Sequence, residues 1–322
     1  MKVEVKNLVK FFGKNKAVDD VSFSFGSGHI FGFIGPNGAG KTTTIKIMST
    51  LSLPDSGDVL YDGVSVIENP EKVRRVIGYM PDALPEHKDI TVNEYIDFFA
   101  RAYGLKGRKR RQAMEDIKEF TGLGKMQDKY LKALSKGMKQ RVSLARALVH
   151  NPEVLIMDEP AAGLDPRARI ELRELMKILA EQGKAILVSS HILSELQDIC
   201  HGTVIIEKGK ILHVGMIKGE DSGKSDEVSG TGRNNVPKHT VVIIRALCRQ
   251  DELLKKLAEQ PFILDYRPSV NNEVQVTIEG NDEESAELLS TLVTDGIKVT
   301  EFRQHGIGLE ELFLNVTKGD LN

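Results

Sequence analysis

The chain has 322 residues, room for about two domains at roughly 150 residues each. Hydrophobic residues make up 40% and charged residues 28%, the balance of a folded globular chain, and 44 Lys+Arg against 46 Asp+Glu give no charge excess of the kind nucleic-acid binding needs. No apolar run approaches the roughly 18 residues of a membrane span, the opening MKVEVKNLVKFFGKNK has no signal-peptide core, and Cys200 and Cys248 are too few for a disulfide framework, which fits a reducing cytosol. Secreted, collagenous, coiled-coil and membrane-spanning classes are thereby excluded.

In chain order, the first strong signal is HIFGFIGP at 29–36, an apolar run with the length of a buried strand, followed by TTIKIM at 43–48, which continues as a helix. Between them Gly35, Pro36, Asn37, Gly38, Ala39, Gly40, Lys41 and Thr42 spell G-x-x-x-x-G-K-[ST], the phosphate-binding P-loop. Its glycines let backbone N–H groups turn toward phosphate oxygens at a helix N-terminus. Lys41 is then expected to reach the β- and γ-phosphates, and the Thr42 hydroxyl to ligate Mg²⁺; Thr43 completes the nucleotide-binding set. KGRKRR at 106–111 reads as the solvated start of a charged helix, with an RNA or anionic-lipid contact as the alternative. Ser135 precedes a helical face of Val142, Ala145 and Val149, which makes it a helix N-cap and equally a hydroxyl beside exposed N–H groups suited to phosphate.

VLIMDEP at 154–160 is a second buried strand, with Asp158 and Glu159 at its polar end. A P-loop enzyme needs a carboxylate there to hold Mg²⁺, and a neighbouring one to orient the attacking water. AILVSSH at 185–191 is a third such strand. Strands alternating with helices favour a largely parallel sheet covered on both faces, an α/β class. Residues 219–238 then break the pattern: eleven of the twenty are Gly, Ser, Thr, Asn or Pro and seven are charged, so a flexible linker is expected between a domain at 1–218 and another at 239–322. The tail reads β-α-β-β-α-β, with strands at 241–247, 262–267, 274–278 and 297–303 and helices at 251–260 and 283–294, the ferredoxin-like α+β order. Leu309, Leu312, Phe313 and Val316 form a terminal helical stripe, as core or as interface. The histidines do not cluster at metal-ligand spacings.

LSKGMKQR at 134–141 completes a set that resembles the ATP-binding subunit of ABC transporters, whose signature is LSGGQ. The resemblance covers essentially residues 1–218: AGLDP at 162–166 is similar to the D-loop, VSSHILSE at 188–195 to the switch segment, IGYMPD at 77–82 to the Q-loop and KFFG to the aromatic A-loop. It implies a P-loop ABC cassette with a helical subdomain. It also implies ATP and Mg²⁺ as ligands, Glu159 as general base, and His191 contacting the γ-phosphate and the water. Phe12 would stack on adenine, a contact worth about 1–3 kcal/mol, with Val18 lining the same pocket; taken alone, Phe12 reads as half-buried packing. Ser135 and Gly137 would bind the γ-phosphate held by an opposite subunit, with Asp165 at the junction. Asp82 stands where the family has Gln; its carboxylate accepts from Mg²⁺-bound water but cannot donate as an amide does. Lys136 and Met138 replace a Gly and the Gln of the signature.

The resemblance further implies an ATPase engine for separate transmembrane permease subunits. It would work as a homodimer or with a paralogous ATPase subunit, cytoplasmic and peripheral on the inner face of the cell membrane. Asp82, the single cassette and the short tail look like exporter-type systems. The alternative is a soluble, non-transport ABC ATPase acting on ribosome or DNA; such relatives usually carry two cassettes or long coiled coils, and this chain has one P-loop and no sustained heptads.

Overall fold

A computed structural model describes residues 1–84, 89–192, 196, 199–216, 239–247, 250–268, 273–280 and 282–305. The segment 219–238, the stripe from Leu309 to Val316 and Cys248 lie outside the described residues, as do positions 193–195 of the switch segment. The chain divides into two compact units, Met1–Gly230 and Thr231–Asn322.

The first unit runs β1 (Lys2–Phe12), β2 (Asn15–Gly26), β3 (Ile30–Ile34), α1 (Lys41–Met48), β4 (Ser56–Tyr61), β5 (Val64–Ser65), α2 (Pro70–Val76) and β6 (Ile77–Met80). It continues with α3 (Val92–Ala102), α4 (Gly107–Phe120), α5 (Lys136–Leu148), β7 (Val154–Met157), α6 (Pro166–Glu181), β8 (Ala185–Ser190), β9 (Gly202–Glu207) and β10 (Lys210–Met216). A six-stranded sheet has the order β10-β9-β3-β8-β7-β6, parallel from β9 to β6 with β10 as an antiparallel edge. Every residue of β3, β7 and β8 is buried, as strands covered on both faces must be.

A second, antiparallel sheet of order β2-β1-β4-β5 lies in the same unit. It has no counterpart in the sequence reading. Aromatic rings join the two sheets: Phe23 stands 5.5 Å from Phe33 and Phe25 stands 5.9 Å from Phe31, between ring centroids. Such pairs add about 0.5–1.5 kcal/mol beyond their burial. Between β6 and β7, α3, α4 and α5 pack on one another as the helical subdomain. A capping box starts α3, with the Thr91 hydroxyl accepting from the Glu94 N–H and the Glu94 carboxylate accepting from the Thr91 N–H.

The second unit contains β11 (His239–Ala246), α7 (Gln250–Ala258), β12 (Ile263–Pro268), β13 (Glu273–Glu279), α8 (Asp282–Thr294) and β14 (Val299–His305). Its four strands pair antiparallel in the order β12-β13-β11-β14. Val242, Ile244, Val274, Val276 and Ile278 alternate onto one face and make a separate core with Leu253, Leu257, Leu288 and Leu292. The opposite face carries the ion pairs Arg245–Glu301 at 2.8 Å and Arg303–Glu301 at 3.1 Å.

Candidate nucleotide site

The parallel registers decide what meets at the site. Ile34 pairs with Ser190 across β3 and β8, and Met157 with Val188 across β7 and β8. The segments leaving all three strands therefore collect at one edge of the sheet, beyond the carboxyl ends where open α/β sheets bind ligands. These segments are the Gly35–Thr42 loop, the Asp158–Glu159 pair and Ser189–His191.

The loop is held in shape from below. Gly40 has φ +105°, and a Cβ built on it would lie 2.5 Å from the Ala17 carbonyl oxygen, so only glycine fits there. The Gly209 N–H donates to the Ala39 carbonyl at 2.9 Å, and the Asp19 N–H donates to the Gly209 carbonyl at 2.8 Å. Pro36, Asn37 and Gly38 face solvent, as does Thr42, while Thr43 is half-buried. Lys41 is 5% exposed and donates to the Gly35 carbonyl at 2.6 Å and the Pro36 carbonyl at 3.2 Å.

Three acidic and basic groups converge beside it. Lys41 Nζ is 3.3 Å from Glu159 Oε1, and His191 Nδ1 is 2.8 Å from Glu159 Oε2. His191 Nδ1 donates to the Glu159 carboxylate, and in the neutral imidazole this tautomer leaves Nε2 as an acceptor. Glu159 itself sits at φ +48°, a left-handed backbone that a non-glycine residue adopts only under constraint. One restraint is Ser189, buried on β8, whose Oγ accepts from the Glu159 N–H at 2.9 Å and donates to Asp158 Oδ1 at 2.8 Å. Asp158 is 1% exposed, and its N–H donates to the Met80 carbonyl at 2.9 Å. Burial holds its carboxyl above the usual range, helped by the Glu159 and Asp82 charges, while hydrogen bonds with Ser189 and Thr42 work in the opposite direction. Hydroxyl and carboxylate oxygens joined in this way are the hard donors that suit Mg²⁺.

Other residues singled out from the sequence fall as follows. Phe12 is 57% exposed at the end of β1, an open ring and not a packing residue, with Lys10 Nζ 5.9 Å from its centroid. Val18 is wholly buried, in the core beneath. Asp82 is exposed, and its carbonyl accepts from Gln140 Nε2 at 3.2 Å. Ser135 caps α5, accepting from the Met138 N–H at 3.4 Å, and Asp165 caps α6, accepting from the Ala168 N–H at 3.0 Å. Neither Ser135 nor Asp165 has a described hydrogen bond to the Gly35–Thr42 loop. Ser189 is absent from the sequence reading; its only signal there is a serine inside VSSH.

A P-loop on a parallel sheet, with paired carboxylates and a histidine at the same edge, defines a nucleotide-hydrolysing cassette. Residues 18–162 match the family described as ABC transporter. Linearmycin resistance ATP-binding protein LnrL of Bacillus subtilis is 30% identical over 323 residues, covering 98% of each chain. Nod factor export ATP-binding protein I of Ralstonia nicotianae is 36% identical over 208 residues, 65% of each chain. A solved structure of the ATP-binding subunit of an ABC transporter aligns with a TM-score of 0.62 at 32% identity, over 67% of this chain and 90% of that one. The chain belongs to the ATP-binding subunits of ABC transporters, a family of ATP-hydrolysing cassettes. Among the described residues no helix is long and apolar enough to cross a membrane.

Proposed function

We propose that this chain is the ATPase subunit of an exporter, pairing head to tail as ATP binds and driving separate membrane subunits from the cytoplasmic face. The observation that carries the reading is the Glu159 carboxylate held between Lys41 and His191 at the mouth of the loop. Export over import is supported by the two relatives, whose names state resistance to linearmycin and export of Nod factor.

In this reading Gly35–Thr43 cradle the phosphates, Lys41 neutralises their charge and Phe12 stacks on adenine. Thr42 and Asp158 would hold Mg²⁺, with Asp82 as a further acceptor beside them, and the ion would supply positive charge that offsets the charge of the phosphates. Glu159 takes the proton from the attacking water, and His191, fixed by Glu159, orients that water and the terminal phosphate. Lys41 exchanges its Glu159 contact for phosphate, which frees the carboxylate to act as base. Ser135, Gly137 and Asp165 serve the site of the opposite chain, so that two chains related by a twofold axis close two sites. The tail at 239–322, joined through 219–238, supports the dimer without joining the chemistry; its strand order supports the ferredoxin-like reading.

Sedimentation of the Glu159→Gln protein tests the pairing. With ATP and Mg²⁺ it is expected to run as a dimer, and with ADP as a monomer. A monomer under both conditions would contradict the reading.

A further inference from the structure

The signature-like segment departs from LSGGQ at Lys136, and that residue is placed in an unusual way. Lys136 is the first residue of α5, with no acidic residue in the same turn. The free N–H groups there already form the positive end of the helix, so a cation is unfavourable at this position and a carboxylate favourable. Lys136 is exposed, and among the described residues it has no ion pair or hydrogen bond.

Its side chain does not simply extend into solvent. It crosses to the D-loop-like segment: a Cβ built on Gly163 would lie 2.5 Å from Lys136 Nζ and 3.4 Å from its Cε. Gly163 has φ +65°, so any other residue would be strained there and would also push the lysine out. One residue on, a Cβ on Gly137 would stand 3.4 Å from Ala168 Cβ on α6. The starts of α5 and α6 thus lie side by side, tied further along by the Arg141–Glu171 ion pair. Asp165, the nearby acid, spends its Oδ1 on the Ala168 N–H. The result is an ammonium seated over a glycine with no counter-charge among the described residues.

We infer that Lys136 supplies positive charge to the terminal phosphate of the nucleotide carried by a second copy of this chain, with Gly163 as the slot that aims it. The inference rests on the head-to-tail reading. It assigns to Lys136 a part of the discrimination between ATP and ADP, because only the terminal phosphate brings the anion to this surface. Ser135 binds as a neutral hydroxyl; Lys136 adds a charge-assisted contact, which is the stronger kind.

The test measures dimer affinity in the Glu159→Gln protein with ATP and with ADP, by sedimentation equilibrium. Lys136→Gln is expected to weaken the ATP-bound dimer about a hundredfold, because the twofold dimer loses one hydrogen bond to a charged group at each of its two sites at about tenfold each, and to leave the ADP state unchanged. Lys136→Arg is expected to stay within about threefold of the parent, because it keeps the charge. Equal unfolding midpoints for the three proteins exclude a folding defect. An ATP-bound dimer as tight in Lys136→Gln as in the parent overturns the inference, as does an Arg variant as weak as the Gln variant. If the parent itself does not dimerise with ATP, the head-to-tail reading fails and takes this inference with it.

Discussion

Replacing Glu159 with Gln keeps the shape of the side chain and removes its charge, and the geometry fixes what should follow for two separate measurements. On the proposed mechanism, hydrolysis loses the group that accepts the water's proton. A positioned base is worth about 10²–10⁴ in rate, or about 3–5 kcal/mol of barrier, so turnover should fall to the limit of detection. Binding should move the other way. Lys41 Nζ is 3.3 Å from Glu159 Oε1, a gross attraction of about 5 kcal/mol at an effective dielectric of 20. Both side chains are largely buried, and the cost of taking them out of water cancels most of that, leaving a net of about 0–1 kcal/mol. Phosphate has to displace this contact, so removing it should leave ATP affinity unchanged or raise it by up to about fivefold. Calorimetric titration with ATP, beside a phosphate-release assay, reads both quantities. Near-normal turnover would refute Glu159 as the base. A tenfold loss of ATP affinity would refute the account of Lys41 as a residue freed by the substitution.

Asp158 is a buried carboxyl whose folded value lies above 3.8, so its ionisation opposes folding; stability should fall as pH rises from about 3.8 through the raised value. Asp158→Asn should therefore melt higher than the parent at neutral pH without metal, lack that slope and lose Mg²⁺-dependent hydrolysis; a lower melting point would contradict the argument. His150, stacked 3.6 Å from Tyr103, is pushed down to about 4 by burial, so its stability contribution is present above 6.5 and lost on acidification toward 4, up to about 3 kcal/mol. His150→Phe keeps a ring on Tyr103 and cannot be protonated, so the stability difference from the parent should narrow over that window; parallel melting curves would refute it. Ser189→Ala strips the acceptor of the Glu159 N–H and the donor to Asp158, and should cost about 1–3 kcal/mol of stability together with a clear loss of turnover. Unchanged melting and turnover would show that the serine is not the link between the two carboxylate residues.

The parts of the site that were legible in the sequence are those whose chemistry is local. Gly35–Thr42 declares itself because its conformation depends on glycines within eight consecutive residues. The strands β3, β7 and β8 declare themselves because burial on both faces leaves unbroken apolar runs. The antiparallel sheet was hidden for the opposite reason. Its strand β1 shifts register between Val5 and Leu8, again before Lys10 and again before Phe11, and each irregularity breaks the alternation that a reader of period two looks for. Ser189 was hidden because its role lies in the β7–β8 register, which sets it beside Asp158 although 31 positions separate them. The left-handed backbone of Glu159 is likewise a tertiary demand that no local preference announces. Lys136 was visible only as a departure from a pattern; its seat over Gly163 depends on how α5 and α6 meet.

The central claim is that each working site takes its base from one chain and its signature serine from another, and subunit mixing tests it most directly. Glu159→Gln and Ser135→Arg are each expected to be inactive alone. In a mixed dimer one site collects both defects and the other collects none. Random pairing makes half the dimers mixed, so an equal mixture should recover about a quarter of the parent's ATPase rate if sites act independently. No recovery, from two proteins that still pair with one another in ATP, would mean that the site is built within a single chain and would contradict the account.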